Sequence, residues 1–452
     1  MQLNTTSTVN GSVSRALAIA FATTTVIWLL SYAAMLQPGS LAGEVIFGLT
    51  VLVLVAGSAL GAIVDTDGHA LSRAARRGLE IGLISAFVNL MLVGSLIGGS
   101  GGGVIWCVGL FAASLALGVL GGLAGGLLRK VGYGMSREVV WHGVFAAVCA
   151  SLTFLMLVSG GIVTGFEAGL AVPDWPNSYG HNMLLYPLSE MVADLDSGIF
   201  YEHAHRLTGM LVGLASVTLC IVLWCADQRR WVGVLGSLVL LMVIGQGVLG
   251  GLRVTGVLTM SAEAAVLSPS TALGIVHGVF GQIVFAFMVL IAAITSTRWL
   301  HGPSAERTNG AGFARFLAWA LLIALVLQLI IGAMYRHLAL DLELEATRTS
   351  HLLMAHIALA IVVMLLAIIN GVRAIASPAG KCVQRRIGIA LCILVTVQVL
   401  LGVVATVVVL TRGPDEAVPV MEVIVTSAHQ ANGGLLLAAA VLMTAWQRRL
   451  EC

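Results

Sequence analysis

The chain has 452 residues, 59% of them hydrophobic and only 10% charged, with a mean hydropathy of +1.01. That composition excludes a soluble globular domain, and a formal net charge of +2 leaves no basic surface for nucleic acid, so none is expected as a partner. The expected fold is an all-α polytopic membrane protein whose first partner is the lipid bilayer.

A spanning helix needs about 20 apolar residues. Twelve such runs are read along the chain, at 15–37, 42–64, 78–98, 104–128, 141–166, 199–226, 231–252, 271–297, 314–336, 349–372, 386–411 and 422–447. The first is too long for a signal-peptide core and has no cleavage pattern after it, so it is read as a retained span. With both termini cytoplasmic, only Arg206, Arg253, Arg336, Arg348 and Arg412 of the 23 basic residues fall on the outer side. The outer segments keep most of the acids, among them Glu167, Asp174, Glu190, Asp194, Asp196, Asp341, Glu343 and Glu345. Every loop then obeys the positive-inside rule. All seven cysteines, from Cys107 to Cys452, fall in helices or on the inner side, so no disulfide is expected in the outer loops.

The chain divides into an N-terminal four-helix region (1–137), a first four-helix bundle (138–300) and a second (301–452). The N-terminal region is glycine-rich ("GGSGGG", "GVLGGLAGG") and has almost no ionisable group at bilayer depth. It is read as a helix-packing or lipid-facing module in which small residues let backbones approach closely, dispensable for any chemistry elsewhere.

From residue 140 histidines enter the apolar runs. His205, His277, His356 and His429 lie on the sixth, eighth, tenth and twelfth spans, each after an outer loop. Each has Gly or Ala four residues later ("HRLTG", "HGVFG", "HIALA", "HQANG"), and the preceding spans end in small residues ("SGGIV", "LGGLRV", "IIGAMYRH"). The pattern is a helical hairpin used four times, giving an eight-helix core of two pseudo-symmetric bundles beside four extra N-terminal helices.

Ionisable groups within a bilayer are costly and point to function. Proton relay, a metal site and heme ligation all use histidine. A zinc or copper site wants its ligands converging at one point, whereas a heme needs one imidazole on each face of the ring, so four histidines on four helices suggest two axial pairs. Gly209, Gly281, Ala360 and Gly433 would then leave room for a flat macrocycle. In "YEHAHRLTG" (201–209), Glu202 precedes His205 by three positions and shares its helix face, one turn nearer the outer surface. Arg206 is suited to neutralising propionates. His203, two positions from His205, points to the other side and is expected to be an interfacial polar residue.

The Glu-x-x-His-Arg unit resembles the heme A synthase family, together with "GLAVPDWPNSYG" (169–180), "GGLRV" followed by "IVHGVFGQ" (275–282), and "SAHQANGGLLLA" (427–438). The similarity runs from about 140 to 450. It implies a membrane oxidoreductase that oxidises a ring methyl of heme O to the formyl of heme A, by way of a hydroxymethyl intermediate, for cytochrome oxidase assembly. It further implies that His205 and His277 ligate the substrate heme iron, that His356 and His429 ligate a heme b, and that Glu202 is the catalytic carboxylate. The implied setting is the bacterial cytoplasmic membrane, with a membrane electron donor, heme O synthase and cytochrome oxidase assembly factors as partners.

Three departures stand out. Val172 and Ser178 occupy positions where many members carry a cysteine pair, which excludes a loop redox role. Thr164 replaces a frequent arginine, and "LALDLELEATRTSH" (338–351) replaces a second loop. His351 competes with His356 as ligand, and the deeper "MAHIALA" texture favours His356. Two other readings stay open: a diheme b-type cytochrome carrying electrons from quinol, which shares every histidine argument, and a heme transporter or chaperone.

Overall fold

The computed structural model describes residues 5–35, 43–65, 70–97, 103–132, 139–193, 197–256, 271–302, 310–338, 346–376, 382–412 and 417–450. Arg137, Asp194, Asp196, Arg307, Asp341, Glu343, Glu345, Lys381 and Cys452, all used in the charge and cysteine readings, lie outside the described residues.

A bilayer offers the backbone no water, so each apolar run closes its own hydrogen bonds as helix. Twelve long helices result: α1 (Thr5–Met35), α2 (Gly43–Ile63), α3 (Leu71–Ile97), α4 (Gly103–Lys130), α5 (Trp141–Gly165), α7 (Ile199–Ala226), α8 (Arg230–Thr255), α9 (Thr271–Ile294), α11 (Ala311–Leu338), α12 (Ala346–Ala376), α13 (Cys382–Thr411) and α14 (Val420–Leu450). Two short ones, α6 (Leu188–Met191) and α10 (Thr297–His301), lie between them. Among the described residues ten of these helices are long and apolar enough to cross a membrane, against the twelve spans expected; α3 and α14 are long but are not among the ten. The protein is a multi-pass integral membrane protein. Glycines with left-handed backbone mark several ends, Gly132 after α4 (φ 106°) and Gly256 after α8 (φ 65°) among them.

Two compact units emerge from packing. The first holds residues 1–152, 176–240 and 295–300, the second 153–175, 241–294 and 301–452. These units cut across the repeat-based segments, because α5 and α8 each contribute to both.

In the first unit α3 and α4 meet backbone to backbone: a Cβ at Gly78 or Gly82 would run into the Gly118 or Ser114 carbonyl. This is the close approach that small residues permit in membranes. Arg15 of α1 and Arg77 of α3 both reach Asp65, at 2.8 and 3.0 Å, and Arg77 also holds Glu80 at 2.8 Å. A small hairpin joins Asn177–Ser178 (β1) to His181–Asn182 (β2), in register Asn177 to Asn182 and Ser178 to His181. Its two central residues, Tyr179 (φ 49°) and Gly180 (φ 76°), are left-handed, as a tight hairpin turn requires. A 3₁₀ turn, Met183–Leu185, leads on to α6.

In the second unit α11 to α14 each pack on the next, and α14 closes back on α11. This is a four-helix bundle. The helix α9 lies against both α11 and α14.

Candidate functional site

The second unit carries three of the four histidines, and each is held the same way. The preceding helix supplies a glutamine and, one turn later, a glycine. For His277 these are Gln246 and Gly250, whose carboxamide donates to the His277 carbonyl at 2.9 Å. For His356 they are Gln328 and Gly332, with the amide 3.0 Å from the His356 carbonyl and 3.1 Å from both ring nitrogens. For His429 they are Gln398 and Gly402, with the amide 3.3 and 3.2 Å from the ring nitrogens, while Asn432 donates to Gln398 Oε1 at 2.7 Å. A Cβ on Gly250, Gly332 or Gly402 would come within 3.3, 2.8 or 3.1 Å of the facing imidazole Cε1. A Cβ at Gly332 would force a shift, and at Gly250 or Gly402 the ring would have to give by a few tenths of an ångström.

The sequence contains this device as "QGVLG", "QLIIG" and "QVLLG", and the histidine reading missed it. The small residues after the histidines also face this device: a Cβ on Gly281 would lie 3.0 Å from the Gln246 amide, and one on Gly433 would lie 3.4 Å from that of Gln398.

His356 and His429 face each other with ring centroids 6.4 Å apart and planes at 63°. Two imidazoles on one iron, with metal–nitrogen bonds of about 2 Å and roughly 1 Å more from each nitrogen to its ring centre, would stand roughly 6 Å apart. The centroid separation of the pair matches that distance. His351, five residues earlier, is exposed. His277 is half-buried, and its Nδ1 has no hydrogen-bond partner among the described residues. Another residue missed from sequence, His337 at the end of α11, packs on Gly274 of α9, three residues before His277. Among the described residues no three His, Cys, Asp or Glu groups converge, so the arrangement is one of paired rings and not a polydentate cage.

The start of α7, in the first unit, is built from charge. Glu202 is 4% exposed, and Arg206, one turn on, donates to its Oε1 at 2.6 Å. The same guanidinium donates through Nη1 to the Asn177 carbonyl at 3.0 Å. His205 is half-buried on this helix. His203 is not interfacial, as its position opposite His205 suggested. It is fully buried, bonded through Nδ1 to the equally buried Ser178 hydroxyl at 3.1 Å, with the Tyr186 ring 5.1 Å away. The structure thus brings Glu202 and Arg206 together, and separately His356 and His429. His205 and His277 belong to different compact units.

Around the second unit's loop 166–175, Arg336 donates to the Thr164 carbonyl at 2.8 Å, and the Arg253 guanidinium lies over Gly169. The Trp175 ring covers Gly251. Arg412 pairs with buried Glu422 at 3.2 Å. The contacts of Gly169 with Arg253 and of Trp175 with Gly251 tie the loop to the end of α8.

The model of a family described as cytochrome oxidase assembly protein matches residues 143–441. Among curated proteins the chain is 27% identical over 206 residues to a heme A synthase of Parvibaculum lavamentivorans, covering 41% of this chain and 56% of that protein. It is also 27% identical to those of Rhodospirillum centenum, over 42% and 54%, and of Bradyrhizobium sp., over 44% and 58%. The chain spans little more than half the length of these relatives, and no solved structure matches it. The family match covers well over half of the chain, which belongs to the cytochrome oxidase assembly protein family.

Proposed function

We propose that this member of the cytochrome oxidase assembly protein family is a heme A synthase-like membrane oxidoreductase that oxidises a porphyrin methyl group of heme O to the formyl group of heme A. The observation that carries the reading is the Glu202 carboxylate, buried, held by Arg206 at 2.6 Å and one turn from His205. The paired histidines alone account for an electron-carrying cytochrome, and the carboxylate beside His205 is the feature that the methyl oxidation adds.

In this reading His356 and His429 hold a heme b, and their 6.4 Å ring separation supports that assignment. Heme b, when bound, supplies one-electron redox chemistry to the reaction. His205 and His277 are assigned to the substrate's iron from the hairpin repeat. Gln246 bonds the His277 backbone and Gly250 leaves room for its ring, while Gln328 and Gln398 lie against the rings of His356 and His429. Glu202 accepts a proton, or stabilises positive charge developing at the carbon being oxidised. Arg206 holds that carboxylate in place, and its guanidinium is a cation suited to the substrate's propionates. Conversion of the methyl to the formyl adds one oxygen atom and removes four electrons, so the reading calls for an external oxidant such as dioxygen, reduced with the help of a membrane electron donor, together with a supply of heme O from its synthase and delivery to cytochrome oxidase assembly factors. It also places the chain in a bacterial cytoplasmic membrane with both termini inside.

Extraction and mass analysis of the pigments that copurify with the chain test the proposal. Heme A or a hydroxymethyl form of heme O beside heme b is the expected result. Heme b alone at two per chain would make the protein a diheme cytochrome.

A further inference from the structure

The N-terminal helices contain no candidate ligand, yet α1 and α3 both pack on α7, and α3 also packs on the 3₁₀ turn and α6. The contact has a defined centre. Tyr32, near the end of α1, stacks on Phe200 of α7 with centroids 5.6 Å apart and planes at 17°. Phe200 is buried with Tyr186 and Met191 in one apolar cluster, against which Tyr32 and Tyr201 pack. Tyr186 lies against the His203 ring, His203 is bonded to Ser178, and the adjoining Asn177 carbonyl shares Arg206 with Glu202. An unbroken series of contacts therefore runs from α1 to the carboxylate.

Two of these links leave α7 one turn apart, at His203 and Arg206, and land on consecutive hairpin residues, Ser178 and Asn177. Such a pair fixes both the position and the rotation of the hairpin. The apolar cluster behind Tyr186 fixes the far end of the segment.

Where the sequence suggested a dispensable appendage, we propose that α1 and α3 are a brace. They hold the segment from Asn177 to Met191 against the start of α7, and Tyr32 is a positioning residue for Glu202. The proposal rests on the reading of Glu202 as the reacting carboxylate. Tyr32 acts through its ring, because its hydroxyl has no hydrogen-bond partner among the described residues. A remote misplacement of about 1 Å can cost on the order of a hundredfold in rate, so a loosened brace should be felt in turnover before it is felt in heme binding.

The test compares Tyr32→Ala, Tyr32→Phe and Ser178→Ala in the full-length chain. The proportion of extracted heme O converted to heme A should fall by about tenfold or more in Tyr32→Ala and Ser178→Ala, with bound heme b unchanged, and should be restored in Tyr32→Phe. Amide hydrogen exchange in residues 176–191 should quicken in Tyr32→Ala and not in Tyr32→Phe. Wild-type conversion and exchange in Tyr32→Ala would overturn the brace. If that variant does not fold, wild-type conversion by Ser178→Ala overturns it instead. Should the wild-type chain form no heme A, the functional reading fails, and the exchange comparison still decides whether the brace exists.

Discussion

The histidine hairpins of the second unit and the start of α7 in the first are built from opposite materials. The hairpins hold their histidines with neutral groups: a carboxamide bonded to the histidine backbone or lying on its ring, and a glycine one turn away. The start of α7 uses an ion pair, Glu202 with Arg206, further tied to a hairpin carbonyl. Holding a flat ring in a bilayer requires only shape and neutral hydrogen bonds, which are cheap there, and so one device is repeated three times. A buried ion pair is costly unless it is fully hydrogen-bonded, and it stands where the proposed chemistry needs a charge. The α5 helix, which precedes α7, contains no glutamine at all.

The largest effect expected from this contrast is loss of a pigment. Removing either imidazole of the facing pair, in His356→Ala or His429→Ala, should abolish stably bound low-spin heme b, while His351→Ala keeps it. Optical spectra of the purified variants decide this. Full occupancy in both, with loss in His351→Ala, would mean that the 6.4 Å pair is not a heme site.

A smaller, graded effect is expected one layer out. Gln328→Leu and Gln398→Leu keep the ligands but release their orientation, and heme b affinity should drop about 10- to 100-fold, as for other residues that orient metal ligands. Heme titration of the apoprotein measures it. Ser178→Ala, on the other side of the contrast, should leave that affinity untouched.

The smallest effect lies at the far end of α7. Burial raises the Asp227 pKa, but hydrogen bonds from Arg229 outweigh it and the net shift is downward. A carboxylate with a depressed folded-state pKa adds stability above its unfolded value, and that stability is lost as the pH falls through the lower one. Thermal stability of the wild type should therefore exceed that of Asp227→Asn at pH 7 and converge on it below about pH 4. An unchanging gap down to pH 2 would show that the charge is not what this contact uses.

Most of the fold was legible in the sequence, because a bilayer forces each apolar run to become helix and leaves few alternatives. The alternation of histidines was legible for the same reason that it is costly. The spacing of Gln and Gly on the preceding helices was present too, but a glutamine in an apolar run means little until it is known which helix it faces. His203 shows where periodicity ends. Its angle from His205 did place it on the other side of α7, yet whether that side meets lipid or a returning hairpin depends on the path of residues 176–192, which no period encodes. The same holds for Tyr32, 168 positions from its stacking partner Phe200.

The measurement that bears most directly on the function is the pigment content of Glu202→Gln. The amide keeps the volume and the hydrogen bonding but loses the charge and the proton-accepting oxygen. The variant should retain heme b spectrally and accumulate heme O, or its hydroxymethyl form, in place of heme A. Wild-type amounts of heme A would remove the carboxylate from the reaction and with it the ground for separating this protein from a diheme cytochrome.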